Sequence, residues 1–228
     1  MPPWIRARRL YAGYAERQAV GPLSFDLRQA ETSTFIGPGG AGKSTLLRIL
    51  HRVPEPDLWS RGRVEVPVES RLLRQKSLAL DGSLAERLRA TPGVSDPAAA
   101  VAAVWASSPE AAACLRGVAD EPLATIGREK ARLAMLTLAL AGEPPLALLD
   151  EPDAELEEPW FSWVRGLLVD WRSRITLVLV THHLEIAREV SDRIFLLVGG
   201  KIVESGPVAE IFERPRLPRT RDFLRMGS

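Results

Sequence analysis

Apolar residues fall along this chain in two patterns. Short runs rich in β-branched or aromatic residues mark strands at Ile5–Tyr11, Val20–Leu27 and Thr32–Ile36, and a helical run follows at Thr45–His51. Val53–Ser60 is proline-rich and reads as a loop, and Arg63–Val66 alternates as a short strand. Residues 83–141 lack strand signals and are rich in alanine. Asp96-Pro97 and Ser108-Pro109 each place an N-cap residue before a proline suited to the first helical position. Leu146–Leu149 is a continuous apolar run ending at Asp150, as in a parallel strand buried on both faces. Pro159–Trp171 carries apolar residues at 160, 163, 164, 167, 168 and 171, one face of a helix. Trp160, Trp163 and Trp171 share that face, which predicts core packing. Ile175–Val180 reads as another buried strand, and Ile194–Val198 and Lys201–Glu204 as a hairpin around Gly199-Gly200. The Arg/Pro-rich tail from Glu213 to Ser228 ends in a short amphipathic piece. Strands on both sides of a helical insertion predict an α/β fold. We expect one domain over 1–228, with a helical subdomain at about 80–140 and a tail at about 207–228.

Composition narrows the class. The 228 residues are 46% hydrophobic and 26% charged, as in a soluble globular protein. A net charge of +1 gives no electrostatic footprint for nucleic acid. Cys114 is the only cysteine, so no internal disulfide forms and a reducing compartment is expected. The start, Met-Pro-Pro-Trp-Ile-Arg, has no signal-peptide core. Leu133–Ala141 and Ile175–Val180 are too short to cross a bilayer, so any membrane role would come through a partner.

Chemistry enters at residues 37–45. Gly-Pro-Gly-Gly-Ala-Gly-Lys-Ser-Thr fits G-x-x-x-x-G-K-[ST], the phosphate-cradling P-loop, between a strand and a helix. Glycines let successive N–H groups turn onto phosphate oxygens, and the helix directs its positive end at them. Gly37, Gly39, Gly40, Ala41, Gly42, Lys43, Ser44 and Thr45 are therefore candidate ATP ligands. Lys43 would bridge the β- and γ-phosphates, and Ser44 would ligate Mg²⁺. Leu146-Ala-Leu-Leu-Asp-Glu-Pro152 adds two carboxylates at the end of a buried strand. Asp150 is placed to hold Mg²⁺, and Glu151 to polarise an attacking water. Val180-Thr-His-His183 ends the next strand, where a histidine could touch the γ-phosphate. Gln75 can offer an amide oxygen to Mg²⁺ and the water.

In the order P-loop, glutamine, helical insertion, Asp-Glu-Pro, Thr-His, these pieces resemble the ATP-binding-cassette (ABC) ATPases over nearly the whole chain. The likeness is closest in appearance to the ATPase subunits of phosphate importers. It rests on Gln75-Lys76 with Ser83-Leu-Ala-Glu-Arg-Leu88, on Ala187-Arg-Glu-Val-Ser-Asp192, on Gly200-Lys-Ile-Val-Glu-Ser-Gly206 with Ile211-Phe-Glu-Arg-Pro215, and on Thr220-Arg-Asp-Phe-Leu224. The resemblance implies a P-loop NTPase of ABC-ATPase type with an N-terminal antiparallel β subdomain and the inserted helical subdomain. It implies that Tyr14 stacks on adenine, with Tyr11 as the weaker alternative. Gln75 would lie on the loop that senses a membrane partner, and His182 would be the γ-phosphate histidine. It further implies ATP and Mg²⁺ as cofactors, a second ATPase subunit and a membrane permease as partners, and a place on the cytoplasmic face of a membrane. Rival readings are a channel-free regulator or assembly factor and a nucleotide-binding subunit with little hydrolysis.

The family's pattern breaks twice. Its Leu-Ser-Gly-Gly-Gln signature falls, by spacing from Asp150, on Ile126-Gly-Arg-Glu-Lys130. The serine has become Gly127, and the glycines Arg128 and Glu129. Glu129 would bring a carboxylate towards a phosphate held by a partner chain. After Asp-Glu-Pro, Asp153-Ala-Glu-Leu-Glu157 stands where the family reads Thr-Ser-Ala-Leu-Asp, and Glu158 is inserted before Pro159. The expectation is a chain that keeps its own ATP-holding half-site, offers a damaged surface to a partner, and hydrolyses slowly alone.

Overall fold

A computed structural model describes residues 4–52, 54–75, 81–172 and 174–226. Strands β1 (Ile5–Tyr14), β2 (Arg17–Leu27) and β3 (Thr32–Ile36) lead into helix α1 (Lys43–His51). Strands β4 (Leu58–Glu65) and β5 (Arg71–Leu73) follow. Four helices come next: α2 (Leu84–Arg89), α3 (Pro97–Val104), α4 (Pro109–Arg116) and α5 (Arg128–Leu140). The chain then runs through β6 (Leu146–Asp150), α6 (Trp160–Trp171), β7 (Thr176–Val180) and α7 (Leu184–Val190). It finishes with β8 (Arg193–Val198), β9 (Lys201–Pro207), α8 (Val208–Glu213) and α9 (Pro218–Met226).

Two sheets organise these elements. One is antiparallel, in the order β2-β1-β4. The other has the order β5-β6-β7-β3-β8-β9, with β9 antiparallel to β8 and the other pairings parallel. The expected α/β architecture is present, with an N-terminal antiparallel sheet and helices inserted between β5 and β6. Strands β3, β6 and β7 are buried at every position, which is why Leu146–Leu149 and Leu177–Val180 are apolar runs, while β3 buries Thr32, Ser33 and Thr34 ahead of Phe35 and Ile36. Alternation sends their side chains into two cores. Ala147, Leu149, Leu177 and Leu179 pack with the helices, while Leu146, Leu148, Val178 and Val180 pack with α1 and the antiparallel sheet. Phe25, Phe35 and Phe195 join that second core, the last two stacked at 4.8 Å.

The structure corrects several boundaries. β4 begins at Leu58, within the stretch expected to be loop, because it pairs with β1 along its length. Its middle is exposed, so no alternation marks it. Val53 lies outside the described residues. β5 is only three residues long, too short to leave a periodic signal. Its Arg71 donates to the carbonyls of Ala141 and Leu138 at the end of α5, and to Pro92. Helix α2 starts with a reciprocal cap between Ser83 and Glu86, a signal the Ser-x-x-Glu spacing carries. Asp96 caps α3 through Ala98 N–H as expected, but Ser108 makes no side-chain cap to α4. The tryptophans of α6 also differ. Trp171 is buried and donates to Val104 O at 3.0 Å, whereas Trp160 and Trp163 are half-buried and meet edge to face.

Candidate functional site

The site is built where β3 turns into α1. Gly37 has φ 147°, and a Cβ there would stand 2.0 Å from Leu197 O. Gly42 has φ 97°, and a Cβ would stand 2.3 Å from Val20 Cγ1. Only glycine lets the loop turn this close to β2 and β8. A chain of backbone hydrogen bonds secures its rear: Gly200 N donates to Ala41 O, and Gly21 N to Gly200 O. At the front, nothing lies within 4 Å of a Cβ placed on Gly39 or Gly40. The loop therefore opens onto a cavity of 630 Å³.

Lys43 crosses beneath the loop. Its Nζ donates to Gly37 O at 2.7 Å and Pro38 O at 3.0 Å. Burial pulls the ammonium below the usual lysine range, against the opposing pull of Glu151 and Asp150. Ser44 Oγ donates to Asp150 Oδ1 at 3.0 Å, joining α1 to the end of β6. Burial pushes Asp150 above the usual carboxylate range, against that hydrogen bond. Thr45 and Ala41 complete the floor of the cavity.

The far wall carries Glu151 and Gln75. Gln75 Nε2 donates to Glu151 Oε2 at 2.6 Å. His182 Nδ1 lies 3.8 Å from the same oxygen, so His182 and Gln75 both face this carboxylate. Tyr14, at the end of β1, lines the cavity and accepts from Arg48 NH1 at 2.6 Å through its hydroxyl. Tyr11 instead lines a separate hollow beside Trp59 and Arg61. Lys76 lies outside the described residues. The structure thus brings together Tyr14, Gly39 to Thr45, Gln75, Asp150, Glu151 and His182. Gly37 stands behind the loop and contributes its carbonyl to Lys43.

Two contributors escaped the sequence. Arg132 of α5 donates to Arg74 O at 3.1 Å and Gln75 O at 2.8 Å, holding the glutamine's backbone. No pattern distinguishes it from other helical arginines. Asp153, Thr181 and His183 form a hydrogen-bonded group behind Glu151 and His182. The His-His doublet was visible in the sequence, but nothing there assigned its second member.

Donor chemistry suits a phosphate-bound magnesium ion. Mg²⁺ takes few protein oxygens, usually one or two carboxylates together with substrate phosphates. Ser44 and Asp150 offer a hydroxyl and one carboxylate at the loop. Among the described residues, no group of three or more His, Cys, Asp or Glu assembles as a metal site of its own. The open, N–H-rich loop and the cationic Lys43 fit the phosphates.

The substituted segment 126–130 lies across the junction with α5. Ile126 is buried, Gly127 is the N-cap with φ 86° and ψ 158°, and Arg128 starts the helix. Arg128 forms an ion pair with Glu155, in the other segment that departs from the family pattern.

Comparison with known proteins places this geometry. The family described as ABC transporter matches residues 20–154, more than half of the chain. The chain belongs to the ABC transporter family. It is 26% identical over 249 residues to the phosphate import ATP-binding protein PstB of Malacoplasma penetrans, covering 96% of this chain and 84% of that protein. It is 31% identical over 247 residues to the methionine import ATP-binding protein MetN of Xanthomonas campestris pv. campestris strain 8004, covering 96% and 72%. Relatives named for two different solutes stand side by side, so the likeness does not single out phosphate importers. The fold matches a bacterial Atm1-family ABC exporter with a TM-score of 0.79 at 21% identity, over 99% of this chain and 42% of that one. Among the described residues no helix is long and apolar enough to cross a membrane.

Proposed function

We propose that this chain is the ATP-binding and ATP-hydrolysing subunit of an ABC importer, working against a membrane permease from the cytoplasmic side. The observation that carries this reading is one connected array: the P-loop, Gln75 and Glu151 line a single cavity, Ser44 donates to Asp150, and His182 faces the Glu151 carboxylate that accepts from Gln75. ATP with Mg²⁺ supplies the phosphoanhydride bond whose cleavage drives transport. Lys43 and the loop N–H groups bind the phosphates, and Ser44 and Asp150 hold the metal. Tyr14 packs on the base. Glu151 accepts a proton from water held against it by Gln75, and His182 fixes that water's line of approach. The kinship with PstB and MetN supports an importer; of the solutes in those names, the tail and Thr-His segments favour a phosphate-like anion.

The altered segments support an asymmetric dimer. This chain retains the parts that hold ATP and has lost those it would offer a partner. Paired with a second ATPase subunit bearing an intact signature, it would host the one competent site.

Calorimetry with Mg-ATP tests the core of this reading. Wild type should bind, and Lys43→Ala should weaken binding by about 1.5–3 kcal/mol, the worth of a charge-assisted contact. Absence of binding by wild type up to millimolar ATP would show the reading to be wrong.

A further inference from the structure

Behind Glu151 and His182 lies a polar group that the hydrolytic scheme does not use. Asp153, three residues beyond Asp150, is fully buried. Its Oδ2 accepts from Thr181 Oγ1 at 2.6 Å and also from His183 Nδ1. Thr181 Oγ1 accepts in turn from His183 N–H at 3.0 Å, closing the loop after β7 into a ring of hydrogen bonds. The other carboxylate oxygen, Oδ1, is buried and has no partner among the described residues. A buried carboxylate is costly unless a partner carries compensating charge. His183 is that partner. The hydrogen bond to Asp153 holds its pKa above the usual histidine range against the cost of burial, with Asp153, Glu151 and Glu185 adding electrostatic support.

The His183 ring is held on two sides. Phe161 of α6 meets it edge-on at 5.2 Å and 82°. The His182 ring lies against it at 4.2 Å. Both histidine side chains are partly exposed, and the His182 Nδ1 reaches towards Glu151. The rotation of His182 is thus bounded by a neighbour that cannot itself rotate without breaking its bond to Asp153.

We infer that Asp153 and His183 form a positioning pair that sets the His182 ring against Glu151 and thereby sets how well this chain distinguishes a nucleoside triphosphate from a diphosphate. The inference rests on the ATP-binding reading above. Neither residue touches nucleotide; both act through His182. Asp153 occupies a position where the family reads threonine, so the pair belongs to this chain's own departures.

The test uses the full chain and calorimetry with Mg-ATP and Mg-ADP. Wild type should prefer ATP. His182→Ala should lower the ATP-to-ADP affinity ratio about tenfold, the scale of one hydrogen bond to a charged group, with ADP affinity unchanged. His183→Leu should produce the same loss, and the double variant should lose no more than either alone, because one contact is removed in each case. His183→Asn, which keeps a donor near the Nδ1 position, should remain close to wild type. His183→Gln, whose amide lies further out, should behave as His183→Leu and replaces it if the leucine variant is unfolded by circular dichroism. An unchanged ratio in His183→Leu or His183→Gln overturns the inference alone. So do additive losses, an asparagine variant no better than glutamine, or a wild type that binds both nucleotides equally. A wild type that binds neither nucleotide overturns the functional reading and takes this inference with it.

Discussion

Glu151 holds a backbone conformation that few residues with a Cβ adopt, with φ 49°. Its N–H donates to Val180 O at 2.8 Å, so the turn after β6 is tied to the end of β7. Its carboxylate meanwhile accepts from Gln75. A left-handed residue held in this way stores backbone strain, which fits the role proposed for Glu151. Glu151→Gln preserves the shape and removes the proposed base. Single-turnover hydrolysis should fall by about 10²-fold or more while Mg-ATP binding persists. Glu151→Gly should also abolish hydrolysis, yet raise the melting temperature, since glycine relieves about 1–2 kcal/mol of backbone strain. Equal loss of binding and turnover in the glutamine variant would count against Glu151 as the base. Residue types and order told most of this site in advance: a P-loop, then two carboxylates after an apolar strand. The φ angle and the second histidine's partner were illegible, because both depend on how distant loops meet.

Among the elements, α9 shows how a tail is fastened. Glu204 of β9 accepts from Arg216 N at 2.8 Å, Leu217 N at 3.2 Å and Thr220 Oγ1 at 2.5 Å, gathering two backbone donors that lead into α9 and a hydroxyl from its first turn. Burial alone would push Glu204 up. Its bonds to Thr220, Arg216 and Leu217, with the charge of Arg216, outweigh this and hold it below the usual carboxylate range. A carboxyl lowered in the folded state contributes stability above its unfolded value, lost as pH falls through the folded one. Amide exchange over 216–226 should therefore accelerate selectively below about pH 4.5, the ordinary glutamate range. Glu204→Gln should accelerate it roughly ten- to a hundredfold at neutral pH, the equivalent of a charged hydrogen bond. Exchange in the variant matching wild type would refute the tether. The amphipathic end of this tail was visible in the sequence, but its anchor in β9 was not. The same distinction separates β6 and β7, written as apolar runs, and β3, written in β-prone residues, from β4 and β5, which pairing alone defines.

For the whole molecule, the question is what this chain presents to a partner. Gly127 sits at φ 86° and ψ 158°, a region essentially confined to glycine. Where the expected register puts the signature serine, the chain has a glycine in a backbone conformation that a serine would hold only with strain. Arg128 and Glu155 then pair the two altered segments within one chain. Restoring Leu-Ser-Gly-Gly-Gln at 126–130 should raise ATPase activity at concentrations that allow dimers to form. Gly127→Ser alone should destabilise the fold by about 1–3 kcal/mol, because the pre-existing turn is kept. No rise in activity from the five-residue variant, with the fold and ATP binding intact, would point to segment 153–158 as the remaining obstacle.

The borders of the two sheets also bear on how one copy of this protein meets another. Free strand edges are templates on which neighbouring chains can add and grow into filaments. Here β5 offers only three residues, with the Arg71 side chain drawn across to the end of α5. The opposite edge, β9, begins at Lys201 and ends at Pro207, a residue without an N–H to give. On the smaller sheet β4 turns an exposed Ser60-Arg61-Gly62-Arg63 outward, breaking its register with β1 between Arg8 and Tyr11. Charge, brevity and irregular pairing at these three borders oppose the edge-to-edge addition that long, flat, greasy margins invite.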